Sequence, residues 1–568
     1  MAVTIALSVL ALFYFVGYRG YSKVIAEKVF GLSDAELTPA HDPNLRDDYD
    51  YIPTSKHILW GHHYTSVAGA APIIGPAVAI IWGWFPALFW IVFGTIFIGA
   101  VHDFGALALS ARKEGRTMGE LAASVISSRV RILFQIIIYF LIWIVLAVFA
   151  FAIGILFHRY QASVIPINFE IIVAVIIGLY FRKKKGGIFI PSLLALISLY
   201  AIVVVGVAYP VSLEGLVVGP TGDPVIAWAV ILLIYSAIAS LLPVWLLLQP
   251  RDYINSHKLI VGLTALVLGL VVLNPEMHAP VLNLHPVGAP PLFPIIFITI
   301  ACGAISGFHG LVSSGTTSKQ LDKMGDARAI GYGGMLGEGV LAMIATLAVS
   351  AGLPDWNTAY ASWNDSGINA ISNFVTGAGT FLEALLFSKE WAQTLVAILA
   401  ISFAATSMDT GARIQRFVVS EVGAALKIPF LQNRYVATLL AVGPAIPLVL
   451  AGPKVWLPLW LLFGTTNQLI GGMTLLVLYV YLYRTKRPLL HYAVPMVFLV
   501  TMTTAAMIYN IVTWLGQVGA EGTGANGMTV VIGAAILLLE VWMIVEAVLI
   551  VKKLQAERAL EALRLETQ

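Results

Sequence analysis

WGHHYTSVAGAAPIIGP, residues 60–76, sets two histidines, three glycines and two prolines where an otherwise apolar segment should cross a membrane. Free backbone groups and ionisable side chains are tolerated at bilayer depth only where they face protein or a water-lined cavity. A break of this composition therefore predicts a discontinuous helix beside a path or site for something polar.

The rest of the chain supports a membrane setting. Of 568 residues 59% are apolar and 11% charged. A crossing takes about 20 apolar residues. Fifteen spans are expected, near 2–18, 58–82, 86–111, 132–157, 167–181, 188–208, 225–247, 259–274, 293–313, 330–351, 391–410, 435–451, 456–483, 490–514 and 528–551. Lys and Arg collect on the cytoplasmic side of membrane helices. With alternate connections placed inside, starting at 19–57, 30 of the 33 basic residues fall there, and only Arg159, Lys389 and Lys454 fall outside. The N-terminus is thus expected outside and the C-terminus in the cytoplasm. The first span lacks a basic leader and a small-residue cleavage site, and reads as a retained helix.

Several functions are excluded. The net charge of +3 follows the membrane asymmetry, and no basic stripe with interleaved aromatics points to nucleic acid. Cys302 is the single cysteine, so no internal disulfide or multi-cysteine metal site can form. Walker, GxSxG and HExxH motifs are absent, arguing against ATP-driven pumping and hydrolysis. The chain is not expected to be an enzyme or to carry a cofactor.

The organisation suggests pairing. Transporters commonly combine inverted repeats whose first helices are discontinuous. The second span breaks at Gly69 to Gly75; the seventh carries SAIASLLPVWLLLQPRD and is expected to break near Ser240 to Pro243. Five spans is an odd offset, so the repeats would be inverted. The expected units are the first helix and acidic loop (1–57), a core of two five-helix repeats (58–208 and 225–410), peripheral C-terminal helices (435–551) and an amphipathic cytoplasmic tail (552–568). The long connections 19–57 and 352–390 are candidates to cap a pathway.

Site residues follow from chemistry. A half-helix N-terminus presents free N–H groups to a carboxylate. Gly69, Ala70 and Ala71 would permit close approach, with Ser236 and Ser240 at the second expected break. His62 and His63 stand near the inner end of their span, and His102 with Asp103 near the inner end of the next, so they are expected to meet. Histidine beside a carboxylate makes a tunable proton carrier. Adjacent histidines cannot share one helix face, so one of the pair is expected at any given site. His309, within CGAISGFHGLVSSGTTSK, and Asp409 are further protonation or gating candidates. Ser313 and Ser314 offer hydroxyl oxygens to a hard cation such as sodium. Arg251, Asp252, Arg413 and Arg416 read as gate ion pairs and anchors, and Asn467 with Gln468 as hydrogen-bonding groups between helices.

These segments together, GHHYTSVAGAAPIIGPAVA, GAVHDFGALALSARKEGRTMGE, ASLLPVWLLLQPRDYIN, SGFHGLVSSGTTSKQL, SMDTGARIQRF and FGTTNQL, resemble the carbon starvation protein A family over about residues 55–485. The last spans match in hydrophobicity alone. The resemblance implies a bacterial or archaeal inner-membrane carrier, associated with peptide uptake in some members and proton-coupled pyruvate uptake in others. It also implies kinship with the amino acid, polyamine and organocation superfamily, and so an all-α, leucine-transporter-like core.

The expectation is a secondary importer of pyruvate, an amino acid or a short peptide, coupled to protons in preference to sodium, with the oligomeric state open. Its rival is a membrane metal or redox protein ligated by His62, His63, His102, Asp103 and His309. A nutrient sensor fits less well, because no internal loop is long enough for a signalling domain.

Overall fold

The structure, a computed structural model, describes residues 1–47, 50–183, 189–216, 218, 222–243, 245–452, 455–519 and 527–566. Lys184, Lys185 and Lys454, counted above, lie outside the described residues. Among the described residues twelve helices are long and apolar enough to cross a membrane, and a bent pair counted as one span makes thirteen. They are α1 (Ala2–Phe30), the pair α2 (Lys56–Val67) and α3 (Ala71–Trp82), bent by 48°, α4 (Trp84–Arg112), α5 (Ser128–Arg159), α6 (Gln161–Tyr180), α7 (Ile190–Ala208), α8 (Pro224–Leu241) and α9 (Leu248–Leu273). Beyond two short helices, α10 (Leu292–Thr299) and α11 (Gly307–Gly315), come α12 (Arg328–Ala351), α13 (Lys389–Ala425), a shorter apolar α14 (Arg434–Leu450), α15 (Trp456–Arg484), α16 (Leu490–Gln517) and α17 (Gly527–Glu557). The last helix runs on through Glu566, so the tail continues the final span.

Thirteen of the fifteen expected spans are long helices or the bent pair. The other two take different forms. Residues 293–313 are α10 and α11, of 8 and 9 residues, separated by the non-helical residues 300–306. Residues 435–451 are interrupted at Gly443 and Pro444.

Two expectations are corrected. The seventh span is not discontinuous: α8 runs unbroken to Leu241, where the helix ends, and α9 begins at Leu248. Pro243 has no N–H to continue the helix, and Arg413 donates to Leu242 O and, at 3.4 Å, to Ala239 O, capping the exposed carbonyls. The second discontinuity lies at 300–306 instead. The eighth span, expected from 259, starts at Leu248, so Arg251, Asp252, Asn255 and Lys258 lie inside a helix, all buried.

Packing places the breaks at the centre. α5 packs on α8 and α13, which both pack on α14; α2 lies against α9, and α11 against α15. The broken helices touch directly: a Cβ on Gly75 would stand 2.6 Å from Thr299 O, so only glycine allows that approach. On the side away from the basic connections the assembly is closed. Tyr360 Oη donates to Ala77 O at 2.6 Å, and the Trp82 and Trp363 rings pack with centroids 5.1 Å apart.

Candidate functional site

The break between α10 and α11 strips main-chain groups of their helical partners inside the membrane, and neighbouring side chains supply replacements. From α4, Trp90 Nε1 donates to Ile300 O at 3.0 Å and Thr95 Oγ1 to Gly303 O at 3.1 Å. From α15, Gln468 Nε2 donates to Phe297 O at 2.9 Å. Asn467 Oδ1 accepts from Phe308 N at 2.9 Å and so caps α11, while its Nδ2 reaches Ser306 Oγ at 3.1 Å and Cys302 Sγ at 3.3 Å. The pair expected to bond between helices does so. The first break is stitched more lightly: Ser407 Oγ donates to Ser66 O at 3.4 Å, and Ser66 Oγ reaches Asp252 Oδ2 at 3.5 Å.

Beside the second break lies a wholly buried ionic chain. His102 Nδ1 is 2.8 Å from Asp103 Oδ1, Asp103 Oδ2 is 2.8 Å from His309 Nδ1, and His309 Nε2 is 2.9 Å from Glu338 Oε2. All four side chains are 0% exposed. Two carboxylates flank one imidazole, and among the described residues no Lys or Arg pairs with them. Burying such charge is prohibitive unless something positive sits between them, and a proton on His309 or a bound cation supplies it. The approach of α4 depends on a π-helical turn, Thr95–Gly99, just before His102; Tyr332 Oη donates to Ile96 O within it at 2.8 Å.

Glu338 escaped the sequence reading. It is the only carboxylate in the apolar run 330–351, and a lone ionisable group inside a span signals function by default. His62 and His63 do not join this chain, contrary to expectation. They diverge as neighbours on a helix must: His62 Nδ1 sits 3.0 Å from Asp252 Oδ2 on α9, and His63 Nδ1 3.0 Å from Thr317 Oγ1 beyond α11.

A second buried system joins α9 to α13. Arg251 pairs with Asp409, Asn255 Nδ2 donates to Thr406 Oγ1 at 3.0 Å, and Lys258 Nζ donates to Ser402 Oγ at 2.7 Å. Positions 251, 255 and 258 on one helix meet 409, 406 and 402 on the other, so one face of each forms an antiparallel polar seam. Each cation has its anion: Lys258 Nζ is 2.5 Å from Glu170 Oε2 on α6. Asp409 also accepts from Tyr235 Oη and Ser236 Oγ, both at 3.0 Å.

The remaining candidates are dispersed. Ser240 donates to Ala237 O of its own helix at 2.8 Å. Ser314 donates to Gly310 O at 2.7 Å and accepts from Met118 N at 3.1 Å, whereas the buried Ser313 hydroxyl has no partner among the described residues. Gly69, Ala70 and Ala71 are buried at the α2–α3 bend; a Cβ on Gly69 would meet Ser407 Oγ at 2.8 Å and Phe149 at 3.0 Å. Below them, on the side of the basic connections, opens a cavity of about 200 Å³ lined by His62, Gln135, Asp252, Ser314, Thr410 and Arg413. Asp252 Oδ1 and His62 Nε2 have no protein partner there.

Comparison with known proteins places this architecture. The chain is 31% identical over 525 residues to the peptide transporter CstA of Campylobacter jejuni, covering 82% of this chain and 74% of that one. It is 37% identical over 346 residues to the pyruvate/proton symporter BtsT of Escherichia coli, covering 59% of this chain and 47% of that one. A point-mutant form of the manganese transporter of Eremococcus coleocola superposes with a TM-score of 0.51 at 13% identity, over 89% of this chain and 99% of the other. That likeness establishes a shared fold. The family model described as carbon starvation protein CstA matches residues 1–364 and 353–506, and the chain belongs to that family of multi-pass membrane transporters.

Proposed function

We propose that the protein imports a small carboxylate nutrient, pyruvate or a short peptide, across a bacterial or archaeal plasma membrane by proton symport. Asp103, His309 and Glu338 carry the coupling. The supporting observation is the wholly buried His309 with a carboxylate at each ring nitrogen, beside a broken helix. A proton entering this group relieves an uncompensated buried charge, so its arrival and departure can drive rearrangement of α4, α11 and α12.

The substrate carboxylate is assigned to the α2–α3 bend at Gly69, Ala70 and Ala71, where the main chain is least engaged by side chains and the N-terminus of α3 supplies a positive dipole end. Ser407 and Phe149, one from each long helix, close the site. Ser236, bonded to Asp409, acts through the seam; His62 and Asp252 line the exit. This arrangement is inward-facing, with the 200 Å³ cavity open toward the basic connections and the tryptophan layer shut on the far side. A sodium site at Ser313 and Ser314 has less support, since Ser314 is engaged within the protein.

The breaks also re-register the repeats expected at 58–208 and 225–410. We draw them as α2–α3, α4, α5, α8 and α9 against α10–α11, α12, α13, α14 and α15. Contacts then recur in order: α2 with α9 as α11 with α15, and α5 with α8 as α13 with α14. The hairpin α6–α7 is an insertion of two crossings, which preserves the inversion. With the broken α10–α11 and α14 counted as crossings, we reach fifteen among the described residues.

The deciding experiment is uptake of labelled pyruvate and a labelled dipeptide into proteoliposomes under a proton gradient, a sodium gradient or neither. Concentrative uptake under the proton gradient alone, lost in Asp103→Asn while exchange survives, is the expected result. Full accumulation by that variant would remove Asp103 from coupling, and uptake driven only by sodium would overturn the proton assignment.

A further inference from the structure

We propose that Cys302, His309 and Glu338 form a binding site for a divalent transition metal ion, separate from any role in carrying substrate. One ligand atom from each lies within 4.8 Å of the others, and all three residues are buried. They come from three different pieces of backbone: the non-helical residues 300–306, α11 and α12. Close convergence of sulfur, nitrogen and oxygen is therefore a product of the helix break, since a continuous helix would carry Cys302 and His309 in another relation.

Local bonding leaves this group unfinished. His309 Nε2 and Glu338 Oε2 are 2.9 Å apart, and among the described residues the two Glu338 oxygens and His309 Nε2 have no partner outside this pair. The outer atoms are already arranged as they are around bound metals. His309 Nδ1 faces Asp103 Oδ2 at 2.8 Å, the carboxylate–histidine relation that orients a metal-ligating imidazole. Asn467 Nδ2 points at Cys302 Sγ from 3.3 Å and would stabilise a thiolate.

The donor set selects the ion. Thiolate, imidazole and carboxylate suit zinc, cobalt or ferrous iron and disfavour magnesium or calcium, which take oxygen ligands. On binding, Cys302 gives up its S–H proton and His309 its Nε2–H proton, both to water, so that thiolate, neutral imidazole and ionised Glu338 make a three-ligand site in which thiolate and carboxylate balance the divalent charge. The five-residue metal reading fails by contrast, because His62 and His63 are engaged elsewhere. A metal held here would lock His309 against Glu338 and inhibit proton-coupled uptake.

Cobalt(II) tests this on the purified full chain, because its thiolate charge-transfer absorption reports sulfur ligation and the chain has one thiol. Wild type equilibrated with Co2+ and desalted should retain about one ion per chain with that band, and Zn2+ should bleach it. Cys302→Ser should lose the band while melting at the wild-type temperature without metal, and Glu338→Gln should bind at least tenfold more weakly. Wild type that retains no cobalt, or a band-free spectrum indistinguishable from Cys302→Ser, would overturn the site. Since none of these readouts involves transport, they are independent of the symport reading.

Discussion

Replacing Asn467 by alanine should open the second helix break, and the native thiol makes the opening measurable. Asn467 Oδ1 accepts from Phe308 N at 2.9 Å, and Nδ2 donates to Ser306 Oγ and Cys302 Sγ at 3.1 and 3.3 Å. An orphaned buried N–H costs about 1–3 kcal/mol, and the weaker bonds to Ser306 and Cys302 add about 1 more. Local opening should therefore become about 2–4 kcal/mol easier. At about 1.4 kcal/mol per factor of ten, that is roughly 30- to 1,000-fold in the open population. Cys302, 5% exposed, is the only cysteine, so its labelling by a small maleimide follows that population when opening precedes reaction. Gln468→Ala is the calibrating control. It removes a single bond, Nε2 to Phe297 O, worth about 1 kcal/mol, and should raise labelling about fivefold. A rate in Asn467→Ala within twofold of wild type, or below that of Gln468→Ala, would refute the view that Asn467 holds the break.

Other outcomes follow from the same geometry. Glu338→Gln should keep substrate counterflow yet lose accumulation under a proton gradient; accumulation at the wild-type level would show that the second carboxylate is dispensable. Gly75→Ala forces a Cβ to within 2.6 Å of Thr299 O, whereas Gly315 has nothing within 4 Å. The first should cost about 1–3 kcal/mol by overpacking and the second well under 1, read as melting in detergent. Lys258→Met strands the Glu170 charge and should destabilise by about 3–5 kcal/mol, and a Lys258→Met/Glu170→Leu double variant should regain most of it. On the connection between α1 and α2, hydrogen bonds from Arg112 at 2.7 and 2.8 Å hold the Glu36 carboxyl below the usual carboxylate range. A lowered folded-state value means the tie is present at neutral pH and lost as pH falls through that value. Protease cleavage within 31–57 in inverted vesicles should accelerate on acidification, and Glu36→Gln should show the fast rate already at neutral pH.

The sequence discloses what depends on composition and local chemistry. Runs of apolar residues, basic residues between them and the Gly–Pro content of 69–76 mark thirteen crossings and the first break. It misleads where burial depends on partners far along the chain. Arg251, Asp252 and Lys258 fall before the expected start of their span, the first two read as gate ion pairs at the membrane face, until Asp409, His62 and Glu170 are seen to meet them, each 80 or more residues away, and α9 therefore starts earlier than hydropathy suggests. Proline is a visible signal, and it draws the second break to Ser240–Pro243. The real one, at 300–306, is encoded by small residues that could equally pack a straight helix; what keeps it open is Trp90, Thr95, Asn467 and Gln468. Glu338 is legible on its own terms, as a carboxylate alone in an apolar run, and its meeting with His309 is not.

The two buried ionic systems lie on either side of one structural element, and that gives α2 its importance. His62 faces Asp252, whose neighbour Arg251 anchors the seam to α13; His63 faces Thr317, just past the helix that carries His309. Because successive residues on a helix point about 100° apart, any rotation of α2 that shortens one contact lengthens the other. Ser66, one turn on, ties the same helix to Asp252 and, through its carbonyl, to Ser407 at the bend. Substrate binding at Gly69 to Ala71 would thus act on a helix already poised between the proton-bearing group and the charged seam. In that arrangement the coupling ion and the substrate need not touch. On the proposed symport reading each need only favour one rotation of α2, and the paired histidines that make this segment conspicuous would be the two ends of a lever, with the coupling proton assigned to His309 of another helix.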